Sequence, residues 1–166
     1  MVTMMHAPLR LLLDLVDEAF DRKAWHGTTL LGSIRGVPVG TAAWRPAHGR
    51  HNIWELTVHA AYWKYAVRRL LTGEKRGAFA LKGSNWFTRP APRLDGGERA
   101  WRDEVRLLLA EHRRLRETIA ALPERALERR LKGKRYTAGF TIRGIAAHDL
   151  YHAGQIQLIK RLHASR

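Results

Sequence analysis

The chain of 166 residues carries 30 Lys and Arg against 15 Asp and Glu, a formal charge of +15, and is 45% hydrophobic with no cysteine. A chain of this length buries roughly 68–70% of its unfolded surface, so one domain over residues 1–166 with a single core is expected. The missing sulfur excludes disulfide scaffolds, thiolate zinc fingers, iron–sulfur clusters and cysteine nucleophiles, and leaves His, Asp, Glu and water to build any metal site. The positive charge raises nucleic acid as a partner, but its densest stretch, Arg125, Arg129, Arg130, Lys132, Lys134 and Arg135, comes with no groove-reading motif, so a solvated surface is the expected reading.

Apolar residues recur at three and four positions, the helical period. Leu9, Leu12, Leu13, Val16, Ala19 and Phe20 form the first stripe, with Pro8 fitting a first turn. Asp14, Asp17, Glu18 and Asp21 follow this apolar patch where a signal peptide would continue apolar, and no run reaches the ~20 residues a membrane helix needs, so a cytoplasmic protein without membrane contact is expected. Residues 27–35 read as a shorter helical piece, and Gly36, Pro38, Gly40, Pro46 and Gly49 mark a loop. Asn52 and Glu55 have the spacing of a capping box for a second long helix that runs to Leu71 and stops at Gly73. Residues 73–97, rich in Gly and Pro, read as a long crossover. A third helix opens at Asp95 and Glu98 and carries Trp101, Val105, Leu108, His112, Leu115, Ile119 and Leu122. After an irregular basic segment at 123–139, the last helix is expected from Thr141. The sum is an all-α fold, an antiparallel four-helix bundle with a long crossover connection and short extra helical pieces, whose chemistry is built from inward-facing side chains.

Histidines interrupt the apolar stripes. His148 and His152 are four residues apart, and with Ile145, Ile156 and Ile159 they fall within about 80° of the helix circumference. His59 lies on the stripe of Leu56, Trp63, Ala66 and Leu70 and also faces inward. Three inward imidazoles from two helices can hold one divalent ion and leave positions open, and because the set is neutral the ion keeps its full charge for lowering the pKa of a bound ligand. The spacing HDLYH lacks the Glu of the HExxH zinc-protease helix, which argues against that chemistry. His112 is a weaker candidate ligand, and His48 or His51 could replace His59 as the third. His6, His26 and His163 sit near the ends of elements. Asp149 reads as an interhelical or exposed polar contact or as an acceptor orienting an imidazole, Tyr151 as packing, and Gln155 as a hydrogen-bonding neighbour of the pair.

The stretches HNIWELTVHAAYWKYAVRRLLTG and GIAAHDLYHAGQIQLIKRL, with AAWRPA before them, resemble the DinB-like (DinB/YfiT) superfamily of metalloenzymes. The resemblance implies a four-helix bundle with metal ligands at His59, His148 and His152. It further implies a divalent ion, zinc first with nickel or iron as alternatives, and a transferase or isomerase that uses a low-molecular-weight thiol such as bacillithiol, mycothiol or glutathione. A borrowed thiol suits a chain with no cysteine. A metal-dependent thiol S-transferase acting on a small-molecule substrate is therefore the leading expectation, with the electrophile near the crossover and Arg68 or Arg143 receiving the thiol's carboxylates. A metal-dependent hydrolase and a non-catalytic stress-response metal-binding module are the alternatives. A homodimer is also expected, with Trp25 or Trp54 on the shared face.

Overall fold

The computed structural model describes residues 7–90 and 97–166. These contain six α-helices and no strand: α1 (Ala7–Phe20), α2 (Leu30–Ile34), α3 (Val39–Ala43), α4 (Ile53–Thr72), α5 (Glu98–Ala120) and α6 (Ala138–Ala164), with a 3₁₀ turn at Glu124–Ala126. The all-helical expectation holds. The loop expected around residues 36–49 contains α3, which starts after Pro38, whose ring holds φ at −65°, a value compatible with a helix entry. The proposed opener Asp95 lies outside the described residues, and Glu98 is the first residue of α5.

The longest helices are held by their apolar faces. Leu9, Leu12, Leu13 and Val16 of α1 pack with Val67 and Leu71 of α4, Leu115 and Ile119 of α5, and Ile142 and Ile145 of α6. At the other end Phe20, Trp54, Leu56, Trp101, Leu108, Ile156 and Ile159 share a second cluster with α2 and α3. Most of α4 is buried, and it packs on both α5 and α6. A fully buried Val, Leu or Phe contributes about 1.5–3 kcal/mol, so the two clusters dominate the stability of the fold.

The entry to α4 is a knot of polar bonds. Asn52 Oδ1 accepts from the Glu55 amide at 2.8 Å, while Asn52 Nδ2 donates to the carbonyls of Ala43 at 3.0 Å and Arg89 at 2.8 Å. The cap therefore ties the end of α3 and the far end of the crossover to the same turn. The expected capping box is half made, because the Glu55 carboxylate accepts from Arg45, His51 and the Arg89 amide instead of reaching back to the cap. At the other end Gly73 takes a φ of 80° and closes α4 with its amide on the Arg69 carbonyl, as the glycine stop predicts. The last helix begins three residues before the expected Thr141. Thr137 caps it by accepting from the Phe140 amide at 3.2 Å, and Gly139 passes so close to the Leu127 carbonyl that a Cβ would lie 3.3 Å from its oxygen. The basic residues between 125 and 135 are exposed, as a solvated surface requires.

Candidate metal centre

Residues from α4, α6 and the crossover form one cluster. His148 lies one turn before His152 on α6, and its Nε2 stands 3.1 Å from the Nε2 of His152 and 3.1 Å from the Nε2 of His59 on α4. The donor nitrogens of all three fall within 4.8 Å of one another. Nitrogens bound to one tetrahedral ion at ~2.0–2.1 Å lie about 3.3 Å apart, so this spacing matches a shared ion closely.

The tautomers follow from the second nitrogens. His59 Nδ1 is 2.8 Å from the Asn85 carbonyl and His152 Nδ1 is 2.6 Å from Gln155 Oε1. Both oxygens can only accept, so both Nδ1 atoms carry the hydrogen and both Nε2 atoms present lone pairs to the centre. His148 Nε2 has one hydrogen at most and can satisfy one of them, which leaves a buried lone pair without a donor. A cation at the common point satisfies all three, so the donor set fits a divalent ion. Burial, first of all, pushes the imidazoles toward the neutral form: His59 falls to about 4, His148 to about 3 with further help from its two neighbours, and His152 also falls. Neutral imidazole is the ligating state.

The crossover walls the centre. Asn85 has a φ of 62°, a left-handed value that asparagine tolerates, and while its carbonyl engages His59 its side chain accepts from Trp63 Nε1 at 2.9 Å. Trp86 stacks on His59 at 3.8 Å, and His51 stacks on the other side of Trp86 at 3.6 Å. A cavity of about 490 Å³ adjoins His152, lined by Arg50, His51, Leu56, Trp86, Tyr151 and Gln155 together with apolar residues of α6. That volume suits a small molecule.

A family model for the DinB superfamily matches residues 22–156. The chain belongs to the DinB superfamily. No curated protein and no solved structure matches it. The remaining candidates of this DinB-superfamily chain lie elsewhere. His112 stacks on Phe20 at 3.6 Å, away from the three histidines, and burial drives its pKa to about 2, so it is a core group. His48 and His26 are exposed, His163 lies edge-on to Trp44, and His6 falls outside the described residues. His51 stands outside the group of three, with Trp86 stacked between it and His59, and its Nδ1 is 2.9 Å from Glu55 Oε2, which fixes the hydrogen on Nδ1 and frees Nε2 as an acceptor. The i, i+4 spacing of His51 and Glu55 was the available signal.

Asp149 is fully buried and bonds the equally buried Lys64 of α4, so it is an interhelical contact and not a partner of an imidazole. Tyr151 is exposed on the rim of the cavity. Arg68 pairs with Glu74 and Arg143 lies over Phe140; neither lines the cavity at His152, whose cation is Arg50. Trp54 is buried in the core and donates to Glu104, so it cannot form a dimer face, whereas Trp25 is fully exposed.

Proposed function

We propose that the protein is a divalent-metal-dependent enzyme, its ion held by His59, His148 and His152, which joins a low-molecular-weight thiol to an electrophilic small molecule. We read the four long helices as an antiparallel bundle in one domain, the arrangement that builds such sites from facing helices. One observation carries the reading: three imidazoles, His59 and His152 buried and His148 half-buried, point Nε2 atoms at a common point, and the hydrogens of two are held away by Asn85 and Gln155. A bound divalent ion, zinc by preference, supplies positive charge that favours the thiolate over the thiol.

The chain's own residues do the rest. The cavity at His152 takes the thiol, with Arg50 facing its anionic groups. His51 receives the thiol proton at Nε2, and the buried Glu55 carboxylate, held by Arg45 and the Arg89 amide, stabilises the imidazolium that results. The sulfur then bonds to the electrophilic carbon, and the leaving group departs with its bonding pair. Trp86 covers the face of His59 and keeps bulk water from that side.

Elemental analysis of untagged protein tests the metal, with about one divalent ion per chain expected and none after His148→Ala or His152→Ala. A screen of bacillithiol, mycothiol and glutathione against one reactive electrophile tests the chemistry. Protein that contains no metal and takes up neither zinc nor nickel sinks the proposal, while metal-loaded protein that hydrolyses esters and ignores thiols moves it to the hydrolase reading.

A further inference from the structure

The centre has a second opening. A cavity of about 220 Å³ lies along the seam of α4 and α6 one turn before the larger one, and its wall includes His148, Trp63, Tyr136, Phe140 and Gly144. The two α6 histidines of the centre thus belong to different cavities, His152 to the larger and His148 to the smaller. A hydrolase needs room for one organic substrate, a transferase for two.

Gly144 keeps the smaller cavity open. It sits inside α6, where glycine is a poor helix former, and a Cβ built on it meets nothing within 4 Å. The walls are aromatic and aliphatic, and an apolar space of about 150 Å³ already accommodates benzene. Cations mark the outer edge. The Arg135 guanidinium lies 5.6 Å from the centroid of Tyr136 and that of Arg143 lies 5.8 Å from the centroid of Phe140, and neither pairs with a carboxylate among the described residues. Tyr136 and Phe140 stack on each other at 4.6 Å, which joins the two positions into one charged rim.

We infer that this cavity is a subsite for a small aromatic or branched-chain carboxylic acid, its apolar body beside His148 and its carboxylate toward Arg135 and Arg143. The assignment of this acid as the second substrate rests on the transferase reading above; its binding does not. The probe is phenylacetate, with 2-phenylethanol as its neutral counterpart, followed by amide and indole NMR shifts in metal-free and zinc-loaded protein. Phenylacetate is expected to give saturable, millimolar binding with shifts at Trp63 and Gly144. Gly144→Leu fills the space, so it weakens phenylacetate by at least about tenfold while the thermal midpoint stays or rises by a few degrees. Phe140→Ala, at an exposed wall, weakens it without affecting folding. Arg135→Gln with Arg143→Gln removes the preference for the acid over the alcohol, about threefold for exposed charges.

Absence of saturable binding overturns the inference, and so does unchanged affinity in Gly144→Leu and Phe140→Ala. Shifts at the same residues that follow protein concentration and not phenylacetate overturn it in favour of a second copy of the chain. Phenylacetate binding by protein that takes up no metal preserves the subsite and rejects the proposed function, and zinc uptake without phenylacetate binding does the reverse.

Discussion

Two polar clusters meet α6 at adjacent residues, and they are built on opposite rules. Asp149 turns one way and meets Lys64, a pair of opposite charges that answer each other with both side chains sealed from solvent. His148, the residue before it, turns the other way and meets His59 and His152, three neutral groups whose lone pairs face one another. Buried polar atoms cost free energy unless paired. In the first cluster the protein itself supplies the opposite charge, although Asp149 Oδ1 has no hydrogen-bond partner among the described residues, whereas the lone pairs of the second call for a cation the protein does not supply. Matched charge marks the part of the interior that holds the fold, and mismatched donors mark the part that holds a ligand.

The sharpest way to break this contrast is to unbalance the charge-matched side. Lys64→Met leaves the Asp149 carboxylate buried without its cation and is expected to lower unfolding free energy by about 3–5 kcal/mol, read by urea denaturation. Adding Asp149→Leu should recover most of the loss, since an apolar pair fills the same space. The same double variant should still bind one metal ion per chain. Loss of metal in a folded double variant would mean that the two clusters act as one.

The mismatched side responds to metal and not to charge swaps. At free zinc of 100 times the dissociation constant, the bound ion is expected to add about 2.7 kcal/mol, and a chelator should remove that increment from the wild type as a drop of several degrees in Tm. In His148→Ala the chelator should change nothing. A chelator effect that survives this substitution would place the ion elsewhere.

What could be read in advance follows the same division. The phase of His59, His148 and His152 on their helices was legible because a 3.6-residue period brings one stripe to one side, and Ala60, Ala61, Lys64 and Val67 share a buried phase that could have exposed Lys64 as an interior cation. Asn85 and Trp86, which orient and cover His59, stand in a Gly- and Pro-rich crossover with no period, so nothing local predicted which of its residues would reach the centre. Glu55 was read as part of a cap because its spacing from Asn52 fits one, yet Arg45 and His51 compete for its carboxylate and win. Side chains that answer to a distant partner escape local rules.

A fourth histidine, outside the centre, tests whether burial alone makes a site. His112 lies against Phe20 with its Nδ1 unpartnered, near Lys64 and Arg116, and burial first, then these cations, lower its pKa from 6.5 to about 2. Its folded pKa lies below the unfolded one, so the unfolded chain binds the extra proton between about pH 6.5 and pH 2. Its contribution to stability is therefore complete above about pH 6.5 and is lost as the pH falls, by at most about 1.4 kcal/mol per unit. His112→Phe keeps the ring stack and should flatten the acid limb of a stability–pH curve without altering metal content. A change in metal stoichiometry would bring His112 into the centre after all.

The finest distinction is between holding a ligand and aiming one. Gln155 does not point its oxygen at the ion's position; it accepts the Nδ1 hydrogen of His152 and so turns Nε2 inward. Gln155→Ala should leave the fold intact and weaken metal binding by about tenfold, or ~1.4 kcal/mol, the lower end for loss of an orienting partner. Gln155→Glu retains an acceptor and adds negative charge, which raises the basicity of the ring, so it should bind metal at least as tightly as the wild type. Competition titration against a chromophoric chelator reads both. If Ala and Glu behave alike, the orientation of His152 is fixed by helix packing alone, and the hydrogen bond is a consequence of the site and not a cause of it.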